Sequence, residues 1–223
     1  MTLAQQLAAG LAALGLDLPA AVQARLLAYV ALLKKWNATY NLTAIRDEAE
    51  MVTQHLLDSL SVLPVLQESV LAGLRSGIPG RQSPGRRWAD VGSGAGLPGI
   101  PLAIARPELD MTLIETVEKK SAFQRQARIE LGLPGITVAN GRVEAMPDGQ
   151  FAAVISRAFA ELADFVKLAG HLLEPQGRLY AMKGQSPDAE IGRLPPSWVV
   201  ADSVRLHVPG LEAERHLIIL ERA

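Results

Sequence analysis

One glycine-rich stretch, from Trp88 to Ala105, constrains the fold of this chain more than any other segment. It begins with a short apolar run, ending at Val91, that is typical of a buried strand. Three glycines follow at alternate positions: Gly92, Gly94 and Gly96. Glycines allow positive φ and close backbone approach, and N–H groups at the start of the helix predicted from about Pro98 can face an anion. The stretch therefore predicts the nucleotide-type binding loop of a doubly wound α/β sheet.

The residues around the glycines help to decide which nucleotide is bound. The segment Gly94–Gly99 matches the dinucleotide pattern G-x-G-x-x-G, which alone is a weak signal. Asp90, at the end of the strand and before the first glycine, makes the segment resemble S-adenosylmethionine (SAM) methyltransferases. SAM has no pyrophosphate, and its cationic amino-acid end favours a nearby carboxylate. An ordinary βα turn with an exposed Asp90 is the alternative, but a turn alone needs fewer glycines.

Length and composition limit the folds and the kinds of reactive site that this chain can form. The chain has 223 residues, 49% of them hydrophobic, which fits one α/β domain with an additional helical part. It contains no cysteine, which excludes disulfides, thiolate metal sites, a cysteine nucleophile and an iron–sulfur radical cluster. The histidines show no metal-ligand spacing, so we expect no metal. Without a bilayer-spanning apolar run or a basic signal-peptide start, we expect a cytoplasmic protein that makes no membrane contact.

The pattern of elements changes along the chain from helices to alternating strands and helices. Helical spacing covers residues 2–14, and a second helix is predicted from Pro19 to about Trp36, where the turn formers of Asn37–Thr43 end it. Asp47 is the predicted N-cap of a third helix. We therefore predict a helical extension packed on the core (1–72), a basic Gly/Pro linker (73–87) and a SAM-binding methyltransferase domain (88–223).

The second part of the chain predicts the sheet. Strands are expected at 87–91, 111–114, 136–139, 152–155, 177–182, 198–208 and 217–221. Helices are expected at 117–131 and 162–173 between them. This order predicts a seven-stranded, Rossmann-like α/β sheet of the SAM methyltransferase type, mostly parallel and closed by a C-terminal antiparallel pair.

Polar residues follow several predicted strands, where the ligand of such a sheet lies. Glu115 follows the second strand and can accept hydrogen bonds from ribose hydroxyls, or it is an acid favoured by a helix N-terminus. Glu144 follows the third strand and can read the adenine edge, or it belongs to a solvated turn. Arg157 can bind a phosphate or a guanine edge, and Phe159 can stack on a base or belong to the core. Lys183 can meet an RNA phosphate or be a surface lysine.

Charge is distributed unevenly although the formal net charge is −1. The segment from Arg75 to Arg87 contains only positive charges, and Lys34 and Lys35 lie near the end of the second predicted helix. If these groups face the same side as Arg157 and Lys183, Arg86 and Arg87 join an RNA-binding surface. Solvated helix faces and a solvated strand entry are the alternative.

Several segments together resemble one family over nearly the whole chain. They are Trp36-Asn-x-x-x-Asn-Leu-Thr43, His55–Ser59, Asp90–Pro101, Arg142–Glu144, Ile155–Ala158 and Met182–Gly184. The chain is similar to the bacterial small-subunit ribosomal RNA guanine-N7 methyltransferase G family, also called glucose-inhibited division protein B. The resemblance implies SAM-dependent methylation of N7 of one guanine in 16S rRNA, free or within the small-subunit particle.

The resemblance also implies the positions of the SAM contacts. By position they fall on Gly92, Leu97, Val143, Glu144 and Arg157. Glu115 stands where many members of the family have aspartate, so the acidity at this position is kept. We expect a monomer.

The implied chemistry explains why no catalytic residue is assigned. Guanine N7 carries a free lone pair and no proton, so its methylation needs no general base. Two other classes stay open. A NAD-dependent oxidoreductase would use the same loop, but no Tyr-x-x-x-Lys or His–Asp pair is visible. A non-catalytic RNA-binding module is disfavoured by the intact glycine loop and Glu115.

Overall fold

The computed structural model describes residues 1–66, 87–159, 161–185 and 188–223, and a seven-stranded sheet lies at its centre. The strands are β1 (Arg87–Val91), β2 (Asp110–Glu115), β3 (Ile136–Asn140), β4 (Phe151–Ser156), β5 (Leu173–Lys183), β6 (Trp198–Leu206) and β7 (Arg215–Arg222). Their order is β3-β2-β1-β4-β5-β7-β6. Strands β1 to β5 pair in parallel, whereas β7 pairs antiparallel with both β5 and β6. The predicted sheet with its antiparallel end is confirmed.

The strand order places the ligand-binding edge. From β1 the chain proceeds to β2 and β3 on one side, and β4 and β5 then lie on the other side of β1. Strand β1 is therefore the topological switch point, and a crevice opens outside the carboxyl ends of β1 and its neighbours. The glycine-rich loop follows β1 directly, so the sheet topology brings it to this crevice.

Helices surround the sheet and form most of the first third of the chain. They are α1 (Leu3–Ala13), α2 (Ala20–Tyr40), α3 (Glu48–Met51), α4 (Asp58–Leu60), α5 (Gly99–Ala105), α6 (Glu118–Glu130), α7 (Leu162–Ala169) and α8 (Asp188–Ile191). A π-helical turn, Val52–Leu57, joins α3 to α4. Asp47 caps α3 as predicted, because its side chain accepts the Glu50 N–H.

Helix α2 is longer than the sequence predicts. It continues past Trp36 to Tyr40 and ends at Asn41, whose φ of 49° is left-handed. Asn37, a turn former, lies inside the helix because its side chain is buried and bonded to the backbone of residues 43 and 45. Tertiary hydrogen bonds thus override the local preference.

The core lies on both faces of the sheet. Alternate residues of β1 point to opposite faces, so Trp88 joins one apolar cluster and Ala89 joins the other. The first cluster also contains Leu7 of α1 and Leu33 of α2, so the N-terminal helices share a core with the sheet. Within the described residues, no helix has both the length and the apolarity to cross a membrane.

Candidate functional site

A cleft of about 480 Å³ opens at the carboxyl edge of the sheet. Its lining combines the loop after β1, the ends of β4 and β5, the start of β7, and the segment from the end of α2 to the first residue of α4. The lining residues are Leu42, Thr43, Ile45, Gln54, His55, Asp58, Gly92, Ser93, Gly94, Ala95, Leu97, Arg157, Ala158, Met182, Lys183, Gly184 and Arg215. Gly92, Gly94, Leu97, Arg157 and Lys183 thus meet in this cleft. The predicted cofactor contacts Gly96 and Glu115 are not among its lining residues.

The three loop glycines all have positive φ: 69° at Gly92, 58° at Gly94 and 84° at Gly96. A Cβ on Gly92 would come within 2.6 Å of the Ala158 Cβ, so the loop approaches the end of β4 closely. A Cβ on Gly94 would have only the Gly92 carbonyl oxygen, 4.0 Å away, as a neighbour within 4 Å. Gly94 therefore leaves open space on the cleft side, which fits a ligand lying against the loop backbone.

Asp90 has a different place from the one predicted. Its side chain is fully buried, and Oδ2 accepts the Gly99 N–H at 2.8 Å, near the start of α5. Among the residues that the structure describes, Oδ1 has no hydrogen-bond partner, and burial raises the pKa of this carboxyl to about 7. Asp90 does not line the cleft, so neither the contact with a cationic ligand nor the exposed-turn alternative describes it. It supports the loop from beneath.

Glu115 holds the other side of the loop. Its Oε2 accepts the Gly94 N–H and its Oε1 accepts the Val117 N–H, both at 2.8 Å. The residue is 5% exposed. Val117 directly precedes α6, so the alternative of an acid at a helix N-terminus is realised in part. The ribose contact stays a prediction. It would use the carboxylate lone pairs of Glu115 that do not accept these two N–H groups.

Two further residues fix the loop, and the sequence did not single them out for this role. Gln124 of α6 donates from Nε2 to the Ser93 hydroxyl and to the Gly94 carbonyl, both at 2.8 Å. The Tyr29 hydroxyl of α2 donates to the Ala95 carbonyl at 2.9 Å. In the sequence, the only indication of this role is that the polar Gln124 adjoins the apolar Phe123 on the helix. That pattern does not show that Gln124 bonds the glycine loop.

The residues after β3 lie beside the cleft rather than in its lining. Val143 is buried in the second apolar cluster, and the Glu144 carboxylate lies 3.6 Å from the exposed Arg142 guanidinium. Gly141 donates its N–H to the Glu115 carbonyl, so this turn is fastened to the end of β2. The SAM contacts expected at Val143 and Glu144 stay predictions.

Arg157 is paired within the protein. Its guanidinium donates to Asp58 Oδ2 at 2.6 Å and to the Gln54 carbonyl at 3.3 Å. Asp58 Oδ1 accepts from Arg215 Nε at 2.9 Å. One buried carboxylate thus holds two guanidinium groups at the cleft, and the three side chains together carry a net positive charge. The sequence did not identify Asp58 or Arg215 as members of this site.

His55 is neutral at physiological pH. Burial, followed by the charge of Arg157, lowers the pKa of His55 to about 4. Its Nε2 lies 3.0 Å from the Thr43 hydroxyl. The side chain is buried within the π-helical turn. No group of three or more His, Asp or Glu in the described part of the chain is placed to hold a metal ion.

Phe159 and Lys183 both have interior partners. Phe159 stacks on Phe165 with ring centroids 4.9 Å apart, as the core interpretation expects. The Lys183 ammonium lies 2.9 Å from Glu190 Oε1, and its side chain is only 11% exposed. The interpretation of Lys183 as a surface lysine is wrong, because its ammonium is paired with Glu190 of α8 and its side chain is mostly buried. A phosphate contact by Lys183 would have to compete with Glu190.

Arg87 does not share the edge of the cleft. It is exposed at the amino end of β1, whereas Arg157 and Lys183 lie at the carboxyl ends of β4 and β5, which run parallel to β1. The premise that these groups face one side is therefore wrong for Arg87, and the cleft of this site does not include it. Arg86 and the rest of the expected linker, 73–86, lie outside the described residues.

Comparison with known proteins identifies relatives over nearly the whole chain. A family model described as rRNA small subunit methyltransferase G (GidB) matches residues 22–218. The protein named ribosomal RNA small subunit methyltransferase G from Azoarcus sp. (strain BH72) is 54% identical over 220 residues, covering 98% of this chain and 96% of the relative. The protein of the same name from Aromatoleum aromaticum is 57% identical over 218 residues, covering 96% of each chain.

Solved structures with the same fold are more distant in sequence. TrmN from Thermus thermophilus matches with a TM-score of 0.53 and 20% identity, over 77% of this chain and 53% of TrmN. This chain thus spans about half the length of TrmN. A SAM-dependent methyltransferase from Aquifex aeolicus matches with a TM-score of 0.53 and 16% identity, over 78% of this chain and 98% of that one. At these identities the likeness shows the fold alone.

Proposed function

This chain belongs to the rRNA small subunit methyltransferase G family, and we propose that it methylates N7 of one guanine in 16S rRNA. It is a methyltransferase, and its methyl donor is SAM. The family assignment removes the NAD-dependent oxidoreductase from consideration. The observation that carries the choice of N7 is the state of the ionisable groups in the cleft.

The acids and bases around the cleft are occupied by structural partners. Asp58 accepts from two arginines, Glu115 accepts two backbone N–H groups, and Glu190 pairs with Lys183. His55 has a pKa lowered to about 4, which makes it a poor proton acceptor at neutral pH. Among the described residues that line the cleft, none is placed as a general base. A lone pair that carries no proton, such as guanine N7, suits this environment.

The residues present fit SAM at the glycine loop. Gly94 offers open space, and the Glu115 carboxylate, which accepts the Gly94 N–H, lies beside it. Gly92 and Gly94 would hold SAM against the loop backbone, and the cofactor would supply an electrophilic sulfonium methyl group for transfer to the unprotonated N7, with the thioether as leaving group. The protein's contribution is alignment, a proximity effect worth up to about 7–11 kcal/mol in favourable cases. Glu115, Gln124 and Tyr29 provide that alignment by fixing the loop.

Arg157 and Arg215 provide the RNA side of the cleft. Guanidinium groups bind phosphate and guanine O6 well, because their donors form a planar fork. Asp58 orients both groups without neutralising them, which leaves one net positive charge for the polyanionic substrate. We propose that these two arginines hold the target nucleotide, and that the protein acts as a cytoplasmic monomer.

A methyl-transfer assay tests the function directly. Small-subunit particles and deproteinised 16S rRNA, both lacking N7-methylguanine at the site, are incubated with enzyme and methyl-labelled SAM. We expect label in one guanine, and cleavage chemistry specific for N7-methylguanine should locate it at N7. Label on an exocyclic amine would contradict the N7 assignment. SAM binding without transfer to either substrate would favour the non-catalytic RNA-binding module.

A further inference from the structure

The motif Trp36-Asn-x-x-x-Asn-Leu-Thr43 has no role in the chemistry described so far, and the structure shows what it builds. Asn37 is 2% exposed. Its Oδ1 accepts the Thr43 N–H at 2.9 Å, and its Nδ2 donates to the Ile45 carbonyl at 3.0 Å. The last turn of α2 is thereby fastened to the segment after it, which supplies Leu42, Thr43 and Ile45 to the cleft wall.

A row of aromatic rings runs from the glycine loop to the surface. Tyr29, whose hydroxyl bonds the loop at Ala95, lies 6.2 Å from Phe123 between ring centroids. Phe123 lies 5.8 Å from Trp36, and Trp36 lies 5.1 Å from Tyr40. Tyr29 and Phe123 are fully buried, whereas Tyr40 is 43% exposed. Among the phenylalanine, tryptophan and tyrosine residues that the structure describes, Tyr40 is the one that is exposed.

Tyr40 lies close to the cleft. It is two residues from Leu42, which lines the cleft, so the two Cα atoms are at most about 7 Å apart. The exposed Arg46 side chain donates to Asn41 Oδ1 at 2.8 Å, which brings a cation to the same turn. An anchored ring beside a cation is the combination that binds single-stranded nucleic acid: bases stack on the ring and a phosphate meets the charge.

We infer that Tyr40 stacks on an unpaired base of the rRNA next to the target guanine and so positions the strand over the cleft. The identity of the RNA rests on the function proposed above, whereas the stacking role rests on the ring and its surroundings. Trp36 holds the Tyr40 ring before RNA arrives, so little side-chain freedom is lost on binding. Arg46 lies where it can meet the adjoining phosphate.

Substitutions at Tyr40 distinguish the effect of base stacking from the effects of side-chain size and of protein stability. Tyr40→Phe keeps the ring, and Tyr40→Leu keeps apolar bulk without a π face. Val199→Ala is the matched control, because Val199 is 42% exposed on β6 at the far end of the sheet. Filter binding measures the affinity of each variant for small-subunit particles and 16S rRNA, steady-state assays measure KM and kcat, and calorimetry measures SAM affinity.

Stacking on one base predicts about a ten-fold weaker RNA affinity, and a similar rise in KM, for Tyr40→Leu. Tyr40→Phe and Val199→Ala should stay within about two-fold of wild type, and kcat and SAM affinity should change little in all three. Wild-type RNA affinity and KM in Tyr40→Leu would overturn the inference, even if methylation proceeds. Ring-dependent RNA binding without methyl transfer would support the stacking role and contradict the proposed function.

Discussion

At the scale of single residues, Gly94 combines a left-handed backbone conformation with open space on the side of the cleft. Its φ is +58°, and that of Gly132, at the end of α6, is +61°; an added Cβ has no close neighbour at either position. Gly94→Ala and Gly132→Ala should therefore each cost about 1–2 kcal/mol of stability through backbone strain alone. Only Gly94→Ala places a methyl group on the cleft side of the loop, so we expect SAM affinity to fall at least about ten-fold.

Calorimetric titration with SAM and urea unfolding of both variants check this prediction. Gly132→Ala introduces the same backbone strain at a position outside the cleft, so the SAM affinity of this variant should equal that of wild type. Equal SAM affinities in the two variants would remove Gly94 from the binding surface.

What the sequence could predict about single residues depended on local spacing. The glycine loop was expected after β1 and Glu115 at the end of the second strand, and both lie there, because local apolar patterns mark these strands. The partners of Arg157 and Lys183 were not predictable, because Asp58 lies 99 residues away from Arg157 in the chain and Glu190 lies on a short helix of its own. Asp90 was misplaced because spacing cannot show whether a carboxylate at a strand end faces the ligand or the helix behind it.

At the scale of elements, Asp58 joins three separate parts of the chain. Helix α4 supplies Asp58, the end of β4 supplies Arg157, and the start of β7 supplies Arg215. The Asp58 side chain is 5% exposed, and the two arginine side chains are 24% and 25% exposed. Asp58→Asn should lower the free energy of unfolding by about 3 kcal/mol, because two partly buried cations lose their counter-charge.

Urea unfolding at neutral pH measures the effect, and an exposed ion pair provides the comparison. Glu161 and Arg193 lie 2.7 Å apart with 44% and 57% of their side chains exposed. Glu161→Gln should cost less than about 1 kcal/mol. If Asp58→Asn costs no more than Glu161→Gln, the three-way pairing does not stabilise the junction of the helices and the sheet.

The elements themselves were predictable to a large extent. All seven strands of the second part of the chain lie near their expected positions, because alternating apolar patterns and turn residues mark them. The helix expected at 162–173 ends at Ala169, β5 begins at Leu173 rather than at 177, and the short helix α8 was not predicted. The end of α2 was missed, because Asn37 bonds a segment six residues further on and this bond is invisible to local propensity. The same bond shapes the wall of the cleft, so the place where the prediction from local sequence fails belongs to the candidate site.

At the scale of the whole molecule, two buried groups with oppositely shifted pKa values set the pH dependence of stability. The pKa of His55 falls from 6.5 to about 4, mainly through burial. Burial also raises the pKa of Asp90 from 3.8 to about 7. Between these values the unfolded chain binds a proton at His55 that the folded protein does not, so stability from His55 rises with pH. At Asp90 the folded protein keeps a proton that the unfolded chain has lost, so stability from Asp90 falls as pH rises.

The two contributions have opposite signs and overlap between about pH 4.5 and 6, where each approaches 1.4 kcal/mol per pH unit. They therefore nearly cancel in the wild-type protein. Asp90→Asn should leave the His55 contribution alone, so the free energy of unfolding in urea should gain a positive slope of about 1.4 kcal/mol per pH unit relative to wild type. His55→Gln should produce the opposite change. All other groups titrate alike in the wild-type protein and the two variants. If the three plots of unfolding free energy against pH are parallel, the pKa values of Asp90 and His55 are not shifted by burial.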